Sequence, residues 1–244
     1  MTMKKVFQFG LLSLAFIFFH FHGFGQSAAD HYRNGMVKVN AGKGLEALSD
    51  FNYAILKDPN FTDAYIGRAN MLSEVGDNTG VIRDLTKVID LRPNDKAGYI
   101  TRGKAYLAIG YVTSANADFE KAIEIDTAYV LGYTYRGLCK NISANYNGAI
   151  ADLDKAISLD STCAEAYCFR GNSKYYLMQE DGAKLDFDKA IELNPKLADA
   201  YLSRGNYYLY IQKDAASACP DWIKAVALGN KDASIMVQKN CDQK

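Results

Sequence analysis

The sequence predicts an all-α fold, a solenoid of six helix pairs closed by a C-terminal helix, and three regularities predict it. The chain matches itself at a shift of 34 residues, which brings Tyr133-Thr134-Tyr135-Arg136-Gly137, Tyr167-Cys168-Phe169-Arg170-Gly171 and Tyr201-Leu202-Ser203-Arg204-Gly205 onto one another. Within one copy Tyr167, Gly171 and Lys174 are spaced i, i+4 and i+7, which marks one stripe of an α-helix. Ala183, Phe187 and Ala190 repeat that spacing after a gap, so each copy holds two helices. A pair of this kind cannot bury its apolar stripe alone and stacks on its neighbours.

At the N-terminus, Lys4 and Lys5 precede an apolar run from Val6 to Phe19, and Gly23 and Gly25 stand two apart before Gln26. That order reads as a secretory signal peptide, residues 1–25, cut after Gly25. The competing reading is a retained anchor, but the run is short for a membrane span, which takes about 20 apolar residues. Export to the periplasm or beyond the cell is therefore expected, with no stable membrane span once the signal is removed. The first cysteine is Cys139, so no lipid-attachment cysteine follows the apolar run.

Lys+Arg and Asp+Glu each number 28, and no basic face points to nucleic acid. His20 and His22 fall in the signal segment, which leaves His31. A histidine-based triad or a multi-histidine metal site is excluded by counting. With no glycine-rich phosphate loop, no Cys-x-x-Cys spacing and no metal-ligand cluster, no cofactor, no metal and no catalytic residue are expected.

The solenoid is assigned to residues 26–244, with units at 28–61, 62–95, 96–129, 130–163, 164–197 and 198–231 and a capping helix at 232–241. First helices carry a large residue (His31, Tyr65, Tyr99, Tyr133, Tyr167, Tyr201) and a small one four later (Gly35, Ala69, Gly103, Gly137, Gly171, Gly205). Second helices reverse the order around Phe51, Leu85, Phe119, Leu153, Phe187 and Trp222. These columns are assigned to the core. Gly42, Gly76 and Gly110 hold the turn between the helices, where a positive φ is easiest. Ala144, Met178 and Gln212 replace them later, so those turns are expected to differ. One residue is inserted near Lys213-Asp214-Ala215. The last second helix is expected to start near Ser217, with Pro220 in its first turn.

A column of charge runs through the repeats. Arg68, Arg102, Arg136, Arg170 and Arg204 are followed 16 or 17 residues later by Asp84, Asp118, Asp152, Asp186 and Asp221, and the first unit has Asn34 opposite Asp50. The favoured reading is a structural ladder of bidentate pairs, over a row of anion-binding arginines.

The 34-residue period and these columns resemble the tetratricopeptide repeat (TPR) family. The resemblance covers nearly all of the chain after the signal and implies a right-handed superhelix. Ala225 to Ala233 resembles the closing half of a Sel-like repeat. The terminal helix should then fold back on the second helix of the sixth unit, which makes Cys219–Cys241 the expected disulfide; Cys139 with Cys163 or Cys168 is the further option, against buried core thiols.

In the family, defined positions of the first helices line the concave groove. Carried over, they give Ile100, Thr101, Lys104 and Leu107, then Leu131, Thr134, Tyr135, Leu138 and Asn141. The next unit gives Glu165, Cys168, Phe169, Asn172, Tyr175 and Tyr176, and the sixth gives Asp199, Ser203, Asn206, Leu209 and Tyr210. Tyr135, Phe169, Tyr175, Tyr176 and Tyr210 gather aromatic area there, with Asn172 and Asn206 as amides; packing between helices is the competing role for Phe169 and Tyr175. The lysine of a carboxylate clamp is missing, since Tyr32, Ile66 and Ile100 stand in its place. The resemblance implies a non-enzymatic scaffold that binds a peptide or an extended protein segment in the groove. The alternative is an assembly component that self-associates through its ends or a free cysteine.

Overall fold

The structure, a computed structural model, describes residues 26–241, so the signal segment 1–25 lies outside it. All thirteen elements among the described residues are α-helices. They fall into two compact units, the first ending at Leu91 and the second beginning at Arg92. The first holds α1 (Ala28–Asn40), α2 (Gly44–Lys57), α3 (Thr62–Glu74) and α4 (Asn78–Leu91). The second begins with α5 (Lys96–Ala108), α6 (Val112–Ile125), α7 (Val130–Ile142) and α8 (Tyr146–Leu159). It continues with α9 (Ala164–Tyr176), α10 (Glu180–Leu193), α11 (Ala198–Tyr210), α12 (Ala215–Ala227) and α13 (Lys231–Asn240). In each unit antiparallel pairs stack on the next pair, which makes an α-solenoid.

The second-helix columns are the core. Phe51, Phe119, Leu153, Phe187 and Trp222 are wholly buried, as are their flanking alanines, such as Ala183 and Ala190 beside Phe187. Close approach explains the small residues opposite. A methyl group on Gly205 would sit 2.5 Å from Trp222 Nε1. The first-helix tyrosines are a correction to the expected core, because apart from Tyr99 they are only half-buried. A phenol buried without a partner would be costly, and here the hydroxyls donate to the turn before the helix. Tyr65 reaches Pro59 O at 3.2 Å, Tyr133 reaches Thr127 O at 3.2 Å and Tyr201 reaches Pro195 O at 3.4 Å.

The turns within pairs close alike. Gly42, Gly76 and Gly110 have φ of 72°, 78° and 81°. Ala144 and Met178 keep the same left-handed conformation, at 57° and 56°, so these turns do not differ as expected. A hydrogen bond across five residues requires it: Asn145 N donates to Lys140 O at 2.8 Å and Gln179 N to Lys174 O at 2.9 Å, as Tyr111 N does to Tyr106 O. In the sixth pair the inserted residue moves the left-handed position to Lys213, and Asp214 N reaches back to Tyr208 O. A residue with a Cβ is strained there by about 1–2 kcal/mol, less the extra freedom glycine has in the unfolded chain. Met178→Gly is therefore expected to raise stability by about 0.5–1 kcal/mol, read as a higher urea midpoint; an unchanged or lower midpoint would contradict the strain.

Helix α12 starts at Ala215, two residues before the expected start, and Pro220 lies inside the helix beyond its first turn. The cause is Asp214, whose carboxylate accepts from Ser217 N at 3.1 Å and caps the helix early.

Each ladder arginine grips its aspartate with two hydrogen bonds. Arg68 Nε and Nη2 both reach Asp84 at 2.7 Å, and Arg102–Asp118, Arg136–Asp152, Arg170–Asp186 and Arg204–Asp221 repeat the fork at 2.6–2.9 Å. The hydrogen bond to Asp221, opposed by burial, holds the Arg204 guanidinium above its usual pKa. The third nitrogen adds a tie that sequence reading missed. It reaches 16 residues back, from Arg68 to Asn52, Arg170 to Asp154 and Arg204 to Asp188, each at 2.6 Å. One guanidinium thus joins the second helix of its own pair to that of the pair before. Its face also lies over the tyrosine three residues earlier, at 5.2 Å for Arg170 over Tyr167. In the first pair Lys38, not Asn34, approaches Asp50, at 2.6 Å. Carboxylates occupy the guanidinium forks of these arginines, which leaves the anion-binding alternative without support.

Candidate functional site

Helices α7, α9 and α11 pack side by side as consecutive first helices. Across them opens a pocket of about 260 Å³ lined by Leu138, Asn141, Ile142, Asn172, Tyr175, Tyr176, Leu202, Ser203 and Asn206. None of the nine is charged. Burial, followed by the neighbouring Tyr176 and Tyr210, pushes the Tyr175 phenol up, so it stays neutral.

Seven of the expected groove residues, Leu138, Asn141, Asn172, Tyr175, Tyr176, Ser203 and Asn206, meet at this pocket. Tyr176 is 57% exposed. It stacks on Tyr146 with ring centres 4.9 Å apart and stands edge-on to Tyr175 at 5.2 Å. Phe169, Tyr135, Lys104 and Tyr210 do not line it. Phe169 is buried in the core with Ala166, Cys168 and Ala200, and Tyr135 packs against that core between Phe119 and Phe169. Both fill space between neighbouring first helices, which removes them from the recognition surface. Lys104 is exposed above the Tyr135 ring, with Nζ 5.0 Å from its centre. Tyr210 is half-exposed at the end of α11. Among the other carried-over positions Ile100, Thr134 and Cys168 are buried. Ile142 and Leu202 line the pocket without having been singled out, although both stand in groove columns, Ile142 34 residues before Tyr176 and Leu202 34 residues after Cys168.

The three pocket asparagines have different duties. Asn141 Nδ2 donates to Phe169 O at 2.8 Å and its Oδ1 accepts from Ser173 Oγ at 2.6 Å, so its amide is consumed in tying α7 to α9. Asn206 Oδ1 accepts from the Trp222 indole N–H at 3.1 Å, which leaves its amide nitrogen open and couples pocket to core. The Asn172 amide has no side-chain hydrogen bond to the described residues. An indole N–H only donates and a peptide carbonyl only accepts, so both engaged amides have one possible orientation.

At the C-terminal end Cys219 of α12 is bonded to Cys241 just beyond α13, with Cα atoms 5.7 Å apart. Cys139, Cys163 and Cys168 are free and buried, so the further disulfide among them is not formed. A free cysteine for self-association is likewise not presented at the surface. Burial pushes the Cys139 thiol up to about 12 and Cys168 higher still. Below that range the thiols stay protonated and unreactive. A thiol reagent at pH 8 is therefore expected to label none of them in the native protein and three in denaturant, with two more after reduction; native labelling would contradict the burial. The sign for stability follows. These groups favour the folded state fully below the ordinary thiol pKa of about 8.5, and that contribution is lost as pH rises toward 12. Among the described residues no group of three or more His, Cys, Asp or Glu could hold a metal, and no helix is long and apolar enough to cross a membrane.

The family model for the tetratricopeptide repeat matches residues 97–129 and 164–197, which are α5 with α6 and α9 with α10. The two matched helix pairs are tetratricopeptide repeats. Solved TPR structures share the fold. A tetratricopeptide repeat protein from Parabacteroides merdae superposes with TM-score 0.74 at 22% identity, over 87% of this chain and 83% of that one. A chain of the APC/C hetero-tetramer Cut9-Hcn1 superposes with TM-score 0.73 at 19% identity over 88% of this chain. The present chain spans 43% of that one's length. YrrB, described as a TPR protein with an unusual peptide-binding site, superposes at 0.50 with 23% identity, over 78% and 97%. No curated protein matches the sequence. TPR proteins are in general scaffolds for protein–protein interaction, so the fold points to protein partners.

Proposed function

We propose that this TPR chain is an exported, non-enzymatic binding protein that takes an extended segment of another protein in the pocket across α7, α9 and α11. One observation carries the reading: the unpaired Asn172 amide stands beside Tyr175 and Tyr176 in an uncharged, open pocket. A primary amide offers a donor and an acceptor side by side, the same pair that an extended peptide group presents, and exposed aromatic rings supply apolar anchor area. The peptide-binding site ascribed to YrrB, which has the same fold, supports it.

Export rests on the segment 1–25, and cleavage after Gly25 predicts a mature chain that begins at Gln26. The test of binding compares capture from envelope extract by the native protein and by an Asn172→Ala, Tyr176→Ser variant. Circular dichroism verifies that the variant is folded. Tyr176 is exposed, so the fold tolerates its loss, which would not hold for Tyr135 or Phe169. A partner held by the native protein and lost from the variant is the expected result. Equal capture by both overturns the assignment of the pocket.

A further inference from the structure

We propose that the segment bound in this pocket carries proline in a polyproline II conformation, an inference that rests on the binding role given above. The first support is the shape of the aromatic surface. The Tyr146–Tyr176 stack, with 12° between planes, and the Tyr175 ring at 78° to Tyr176 make a fixed corner whose outer ring is open to solvent. A pyrrolidine ring packs on such rings without losing rotamer freedom, and polyproline II segments are recognised on aromatic-lined grooves.

The second support is the balance of donors and acceptors. Asn206 has its oxygen taken by Trp222 and offers only N–H groups, and Asn141 is consumed on both sides. Asn172 is the one fully open amide of the three. An ordinary extended segment brings an N–H at every residue, and of the three amides only Asn172 has an acceptor open to it. Proline has no N–H, and its carbonyl accepts from the donors that are open here. The third support is charge: no lining residue bears one, so an acidic or basic segment gains no partner on entry.

The test is calorimetric titration of the purified protein with acetyl-hexaproline-amide, a capped alanine–threonine hexapeptide and cellohexaose. Hexaproline is expected to bind at least about tenfold more tightly than the proline-free peptide. Tyr176→Ser should weaken hexaproline at least about tenfold, a loss of one exposed aromatic anchor. Asn206→Asp keeps an acceptor for Trp222 but removes the donors, and should abolish hexaproline binding while leaving the fold intact by circular dichroism. Equal binding of the two peptides, or insensitivity to Asn206→Asp, overturns the proline inference and leaves the pocket as a peptide site. Binding of cellohexaose in place of either peptide overturns both readings. Binding of neither peptide overturns the proline inference, and capture of a protein partner through Asn172 and Tyr176 then decides the wider one separately.

Discussion

Arg68→Ala is expected to lower the unfolding free energy by about 3–5 kcal/mol, the cost of leaving a buried carboxylate without its partner. Asp84 is 1% exposed and receives both near hydrogen bonds from Arg68. Its remaining neighbour is Arg83, 69% exposed and 3.7 Å away, too distant and too solvated to compensate. Arg68 also ties α4 to Asn52 of α2, so the loss falls on the junction between the two pairs of the first unit. The double replacement Arg68→Met with Asp84→Leu is expected to recover most of that stability, because paired apolar groups of similar volume avoid the desolvation cost. The control is Arg33→Ala, whose pair with Asp30 is exposed and contributes under about 1 kcal/mol. Urea unfolding followed by circular dichroism reads all three. An Arg68→Ala loss as small as that of Arg33→Ala would mean the ladder is not structural.

Trp222→Ala is expected to cost about 3–5 kcal/mol as well, for a different reason: it empties the largest fully buried side chain in the C-terminal pair. Gly205→Ala approaches the same place from the other side. Its added methyl would lie 2.5–2.6 Å from the Trp222 ring, which cannot swing away while its N–H is held by Asn206. A loss of about 1–3 kcal/mol is expected for it. Both changes also act on the pocket, since Asn206 is oriented by the indole. A Gly205→Ala protein as stable as the parent would contradict the close packing of α11 on α12.

The fold was legible because it is written six times. Any one stripe is ambiguous, but Tyr133, Tyr167 and Tyr201 recurring with their glycines and arginines leaves one register. The helices begin on the residues where that register opens, from Ala28 to Ala198. What the sequence concealed were effects of local geometry that override residue preference. Met178 and Ala144 occupy left-handed turns because the closing hydrogen bond demands it, whatever side chain is present. Asp214 starts α12 early because a cap three residues before Ser217 outweighs the proline that follows.

At the candidate site, residue type told less than neighbours did. Phe169 and Tyr135 have the chemistry of binding anchors and the positions of groove residues, but the adjacent first helices close over them. Tyr176 remains open because it falls at the end of α9, where Tyr146 braces it from the start of the preceding helix, α8. The asparagines could be sorted only once their partners were visible. Asn141 is bound to Phe169 and Ser173, Asn206 is half-engaged by Trp222, and Asn172 is open. A signal for the backward reach of the arginines did exist, since Asn52, Glu120, Asp154 and Asp188 each lie 16 residues before an arginine. That column varies in residue type and so escaped notice.

The most direct test of the pocket as the working surface is site-specific photocrosslinking. p-Benzoylphenylalanine is placed at Ile142, which lines the pocket and is 54% exposed, and in parallel at Leu185 on α10, which is 68% exposed and outside it. Irradiation in envelope extract is predicted to give a discrete adduct from position 142 and none from position 185. Adducts from position 185 alone, or equal adducts from both, would contradict the account and move recognition away from the helices α7, α9 and α11.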